Sequence, residues 1–195
     1  MKLVKQTVGI FLMTSLAFTG FEGCKKGEND PGLSLKSRKG RLAGEWKLVK
    51  AEENWTQTGA TAQTKTFDGT NWTANGTKDN TAYTKRVTFE KDGTFKMEET
   101  WAAITTTATG VWFFSGKNKE AELKNKEAVI VSVSSVTHAG GTETYTGVTA
   151  DDMWMLDKLS GKELIVVEEG TEVDSPTGGT ATTTTWKNTY TYEQN

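Results

Sequence analysis

The chain has 195 residues with one histidine, one cysteine and two prolines, and its 23 basic and 25 acidic side chains leave a formal charge of −2. That inventory excludes a histidine- or cysteine-rich metal cluster and an internal disulfide, and the near-neutral balance gives no electrostatic footprint for nucleic acid. Hydrophobic residues make up 35% of the chain and 34 residues are threonine, a composition that favours strands and reads as one small all-β domain.

The N-terminus carries Lys2 and Lys5, an apolar stretch over residues 7–21, and then Gly23 and Cys24. A charged start, a short hydrophobic middle and a small residue before the cut predict a signal peptide over residues 1–23, too short to span a bilayer. Cys24 sits where cleavage is expected. The pair Gly23-Cys24 resembles the lipobox of bacterial lipoproteins, in which the cysteine is diacylated and becomes the new N-terminus, although Phe21 and Glu22 depart from the usual Leu and small residue. The resemblance implies anchoring of Cys24 in the outer membrane of a Gram-negative bacterium, on either its periplasmic or its surface face. Two acyl chains hold firmly, since each buried methylene contributes about 0.8 kcal/mol. The rival reading is ordinary cleavage that leaves an exported free thiol. Residues 25–41 contain Pro31, three glycines and six cations and are expected to form an extended, mobile tether.

From Leu42 onward, β-rich runs alternate with turn chemistry. Residues 44–50 place Trp46 and Leu48 on one face. Residues 85–90 and 94–101 flank Asp92-Gly93, a strong hairpin signal, so Val87 and Phe89 should face Phe95 and Met97 across it. Further strands are expected at 105–114, 127–136, 152–159, 163–169 and 182–193, with a short one at 120–123. Trp186, Tyr190 and Tyr192 share a face of the last strand. Residues 54–84 read mostly as a long loop with a short strand at 64–67. About eight substantial strands in a meander must hide their edges, either in a closed antiparallel up-and-down barrel or in a two-sheet sandwich.

Gly44-Glu45-Trp46 on the first strand, followed by Gly110-Val111-Trp112 and by Leu159-Ser160-Gly161-Lys162, resembles the lipocalin-like lipoproteins of Bacteroidetes type over most of residues 42–193. The resemblance implies an eight-stranded barrel for residues 42–195, with Gly44 and Trp46 as its structural motif, Trp46 packing across the closed end. It also places the long segment after the first strand at the mouth. Lipocalins carry a late arginine that stacks on this tryptophan. Here the only arginines are Arg38, Arg41 and Arg86, and Lys187 lacks the planar group needed for stacking.

Catalysis is difficult to assemble. His138 is the only imidazole and reads as a solvated loop residue. The carboxylate pairs Glu52-Glu53, Glu98-Glu99, Asp151-Asp152 and Glu168-Glu169 put neighbours on opposite faces and read as solvated strand ends. Binding is easier to support. An eight-stranded interior either fills with side chains or holds one small ligand. Met97, Trp101 and Tyr190 are the candidate pocket wall for a small apolar ligand. The expected protein is therefore a monomeric, non-catalytic envelope protein without cofactor or metal. Its alternative is a β-sandwich that binds glycan or protein through exposed aromatics such as Trp55 and Trp72.

Overall fold

A computed structural model describes residues 29–30, 36–115, 127–146, 152–175 and 180–195. The leader, Cys24, the 120–123 segment and Asp151 lie outside the described residues. Among the described residues one short helix, α1 (Arg38–Leu42), precedes twelve strands. These are β1 (Gly44–Gln57), β2 (Gln63–Phe67), β3 (Trp72–Ala74), β4 (Thr77–Lys78), β5 (Tyr83–Phe89) and β6 (Thr94–Trp101). The remainder are β7 (Ile104–Ser115), β8 (Glu127–His138), β9 (Gly141–Thr144), β10 (Asp152–Leu159), β11 (Glu163–Asp174) and β12 (Thr182–Gln194).

Eight of these strands follow one another as antiparallel neighbours, β1-β5-β6-β7-β8-β10-β11-β12, and β12 pairs back onto β1. That last ladder, from Trp46 opposite Gln194 to Gln57 opposite Thr184, closes the sheet. Closure removes both edges, so the architecture is an eight-stranded up-and-down barrel and not a sandwich. The Asp92-Gly93 hairpin forms, and its register puts Val87 opposite Met97 and Phe89 opposite Phe95.

Three departures from the sequence reading matter. First, residues 54–84 are not a plain loop. β1 continues to Gln57, and β2, β3 and β4 form a small antiparallel flap beyond it. β1 pairs with β5 only over Gly44–Lys47, and from Ala51 to Trp55 its partner on that side is β2. The wall therefore splits toward the mouth, and the flap fills the split. Second, β9 extends the expected β8 turn into a hairpin. Third, the segment read as a tether is helical over Arg38–Leu42, capped by the Ser37 side chain, which accepts from the Gly40 amide.

The closed half is a packed core. Trp46 is fully buried and donates its indole N–H to the Leu42 carbonyl at 2.7 Å. Phe89 meets Phe95, Trp112 and Trp154 at centroid distances of 5.6, 5.5 and 5.7 Å, and Trp154 stacks on Tyr192. Such aromatic pairs add about 0.5–1.5 kcal/mol each beyond area burial. Gly44 takes φ +138° where α1 turns into β1, a conformation that explains the glycine before Trp46.

No arginine from the last strands closes this end. The polar closure comes instead from the N-terminal side. Asp30 is 5% exposed, accepts the Leu159 amide at 2.8 Å and is ion-paired with Arg38 and with Arg41 at 3.6 Å. Asn29 donates its side chain to the Asp157 carboxylate at 3.0 and 3.2 Å. These contacts staple the chain to the end of β10.

Candidate functional site

Alternation decides what faces the interior. Counted from the closed end, the inward residues of β5 are Phe89, Val87, Lys85 and Tyr83, and those of β6 are Phe95, Met97, Glu99 and Trp101. β11 presents Leu164, Val166 and Glu168, and β12 presents Tyr192, Tyr190 and Asn188. The third inward position is polar on all four strands. β1 reaches the same level through a bulge. Its pairing with β12 slips between Leu48 and Lys50, which turns Ala51 and Glu53 inward after Trp46 and Leu48. In register, Lys85 lies opposite Glu99, and Glu53 and Glu168 flank Asn188. The apolar floor thus ends at a belt of charged and amide side chains.

Above the belt lies a cavity of about 420 Å³. It is lined by Leu48, Glu53 and Tyr190 from the barrel, by Lys85, Glu99 and Trp101 from β5 and β6, and by Lys65, Trp72 and Ala74 from the flap, with Tyr83 and Asp79 beside them. An aromatic strip runs from the flap to the lip. Phe67 and Trp72 sit 5.3 and 5.7 Å from Tyr83, and Tyr83 sits 5.3 Å from Trp101, all edge-on. The strip fastens the flap to β5. Trp101, at the end of it, is 44% exposed.

The polar groups of the chamber are only partly matched. The Tyr190 hydroxyl donates to Glu53 at 2.9 Å, and Asp79 accepts the Thr81 amide at 2.8 Å. Lys65 lies over the Trp55 ring at 5.3 Å. Burial, with the nearby Asp152 charge next, raises the Glu168 carboxyl above its ordinary range. Burial first and neighbouring carboxylates second push the Tyr83, Tyr190 and Tyr192 hydroxyls well up.

Of the residues expected to form a pocket wall, Trp101 and Tyr190 line the cavity. Met97 does not border it and packs against the core one level below Glu99. Gly44 and Trp46 sit at the closed end. Trp72, weighed as an exposed anchor, is a cavity wall, and Trp55 is half-buried under Lys65. The reading of the carboxylate pairs as solvated strand ends is corrected at three places. Glu53, Glu99 and Glu168 each take the inward side of their pair, whereas Asp152 is exposed at the start of β10. Lys85 and Glu99 were legible from plain alternation, since they continue the Phe89-Val87 and Phe95-Met97 series. Glu53 was not, because the bulge reverses its side.

His138 is exposed at the end of β8, accepts the Gly140 amide and pairs with Glu143 at 3.5 Å. It does not line the cavity. Among the described residues no group of three or more His, Cys, Asp or Glu side chains is arranged to hold a metal, and no helix is long and apolar enough to cross a membrane. Comparison with protein-family models and with curated proteins finds no match.

Proposed function

We propose that this protein is a lipid-anchored, lipocalin-like envelope protein of a Gram-negative bacterium that holds one small ligand in the chamber at the mouth of its barrel, without catalysing a reaction. The carrying observation is the cavity of about 420 Å³ above a packed floor, within the volume range of small-molecule sites, about 300–1,000 Å³. The aromatic strip supplies an apolar wall, and the belt supplies hydrogen-bonding groups that fix orientation. The sequence expectation of a purely apolar ligand gives way here to an amphipathic one, because five of the lining residues are charged.

The anchor in this reading is Cys24, with the bilayer as the partner and a monomer as the acting species. Cys24 precedes Asn29 by five residues, whose fully extended reach is about 17 Å. Asn29 and Asp30 are stapled to the closed end. An acylated protein therefore stands with its closed end toward the bilayer and its mouth away from it.

Two measurements test this. Intact mass of the protein expressed in a Gram-negative host should show diacylglycerol on Cys24, lost in Cys24→Ala; an unmodified thiol removes the anchor. A broad panel of apolar, amphiphilic and polyhydroxylated small molecules should contain a saturable one-to-one binder that Ala74→Trp excludes while circular dichroism stays unchanged. Failure of every class removes the binding function.

A further inference from the structure

The chamber specifies the chemistry of its occupant more closely, on the premise that it binds a ligand at all. Its wall alternates signs: three carboxylates, Glu53, Asp79 and Glu99, against two ammonium groups, Lys65 and Lys85. Among the described residues neither lysine is ion-paired. Two buried polar atoms in this region also lack a hydrogen-bond partner: the Trp72 indole N–H, which is a donor, and the Asn188 Oδ1, which is an acceptor. Asn188 is only 7% exposed and stands on the inward face between Glu53 and Glu168. A buried polar group without a partner is costly; of the two, Trp72 lines the cavity and Asn188 does not, so it is the indole donor that calls for a ligand acceptor.

Each simple ligand class can be weighed against that wall. A purely apolar ligand would displace water from Lys65, Lys85 and Glu99 and give nothing in return. An anion would meet a chamber with one more carboxylate than ammonium group. A lone cation would satisfy the carboxylates and leave both lysines and the Trp72 donor without acceptors. A hydroxyl group both donates and accepts, so a ring bearing several hydroxyls serves carboxylate, ammonium and indole together. The same ring has an apolar C–H face, and the exposed Trp101, held edge-on by Tyr83, is a flat platform for it.

We propose that the ligand is a neutral polyhydroxylated ring compound, a mono- or disaccharide, seated with one face on Trp101 and Trp72 and its hydroxyls directed at Glu53, Lys85 and Glu99. The volume fits a ligand of that size and not a long chain. The Trp72 and Trp101 rings frame the entrance, and the belt forms the base.

The indole N–H signals of the protein itself provide the readout. The full-length chain in detergent micelles is titrated with a panel of neutral mono- and disaccharides while two-dimensional ¹H–¹⁵N spectra are recorded. A binding sugar should move the Trp72 and Trp101 indole signals saturably. It should leave those of Trp46 and Trp112 in place, because these donate to the Leu42 and Glu90 carbonyls away from the chamber. Trp101→Ala and Glu99→Gln should each weaken the same sugar by about tenfold or more with an unchanged fold, whereas Trp101→Phe should retain part of the affinity. If a fatty acid or a naphthalene dye binds one-to-one in the chamber and no sugar does, the ligand class is wrong and the binding function stands. If neither kind of molecule moves any signal, both are overturned.

Discussion

The two halves of this barrel are built by the same strands and obey opposite rules. Toward the closed end every inward position from β5, β6, β11 and β12 is apolar or aromatic, and Trp46, Val87, Phe89 and Leu164 are completely buried. Two residues further along each strand the same face carries Lys85, Glu99, Glu168 and Asn188. The floor gains its stability from area removed from water, about 25 cal/mol per Å². The upper chamber gives that up, because a belt of charges cannot be packed dry without large desolvation costs. The dry core and the polar chamber are therefore separated by height within one barrel, and substitutions in the two halves should fall into different classes.

The largest effect is expected at the floor. Trp46→Ala deletes the biggest fully buried side chain together with its bond to Leu42, and should cost about 3–5 kcal/mol in a denaturant titration. A loss under ~1 kcal/mol would mean that the floor is not the cooperative unit. Next comes the staple. Asp30→Ala leaves Arg41 buried without its carboxylate and strips the Leu159 amide of its acceptor, and a loss of about 3 kcal/mol is expected. Asp30→Asn retains the amide contact and should lie between this variant and the parent.

Upper-chamber changes should barely touch folding. Trp101→Ala should shift stability by less than ~1 kcal/mol, since the ring is already 44% exposed, while it weakens the proposed sugar binding about tenfold or more. A variant that lost both would break the separation of the halves.

The smallest effects are those of pH. The folded Glu168 carboxyl holds its proton to higher pH than the unfolded one, so the native state binds more protons through that window and its stability falls as pH rises across it. Glu168→Gln removes this dependence, and should raise the thermal midpoint by about 1–3 °C at pH 7 and by less at pH 4.5. The raised Tyr83, Tyr190 and Tyr192 act in the same direction at the alkaline end. Unfolded tyrosines lose protons near pH ~10 while the folded ones keep theirs, so stability declines above that pH. Replacing Tyr83 with Phe should soften the decline in a pH-dependent unfolding series.

The sequence by itself determined the eight barrel strands, because their period-two alternation and the Asp92-Gly93 turn are local signals that packing had no reason to override. A family resemblance, not the alternation, suggested Trp46 for the floor, and the alternation placed Trp101 and Tyr190 on the inward face. The sequence also contained Lys85 and Glu99 on the inward series, where charge argued for solvent and alternation argued for the interior. Only the tertiary structure decided the rest. The bulge after Leu48 is a one-residue slip with no strong local signature, and it alone turns Glu53 inward. The flap at β2–β4 exists because β1 parts from β5 after Lys47 and leaves a ladder to be filled. The staple joins Asp30 to Leu159 across 129 positions of sequence. Each of these depends on where distant backbone ends up, which no run of neighbouring residues encodes.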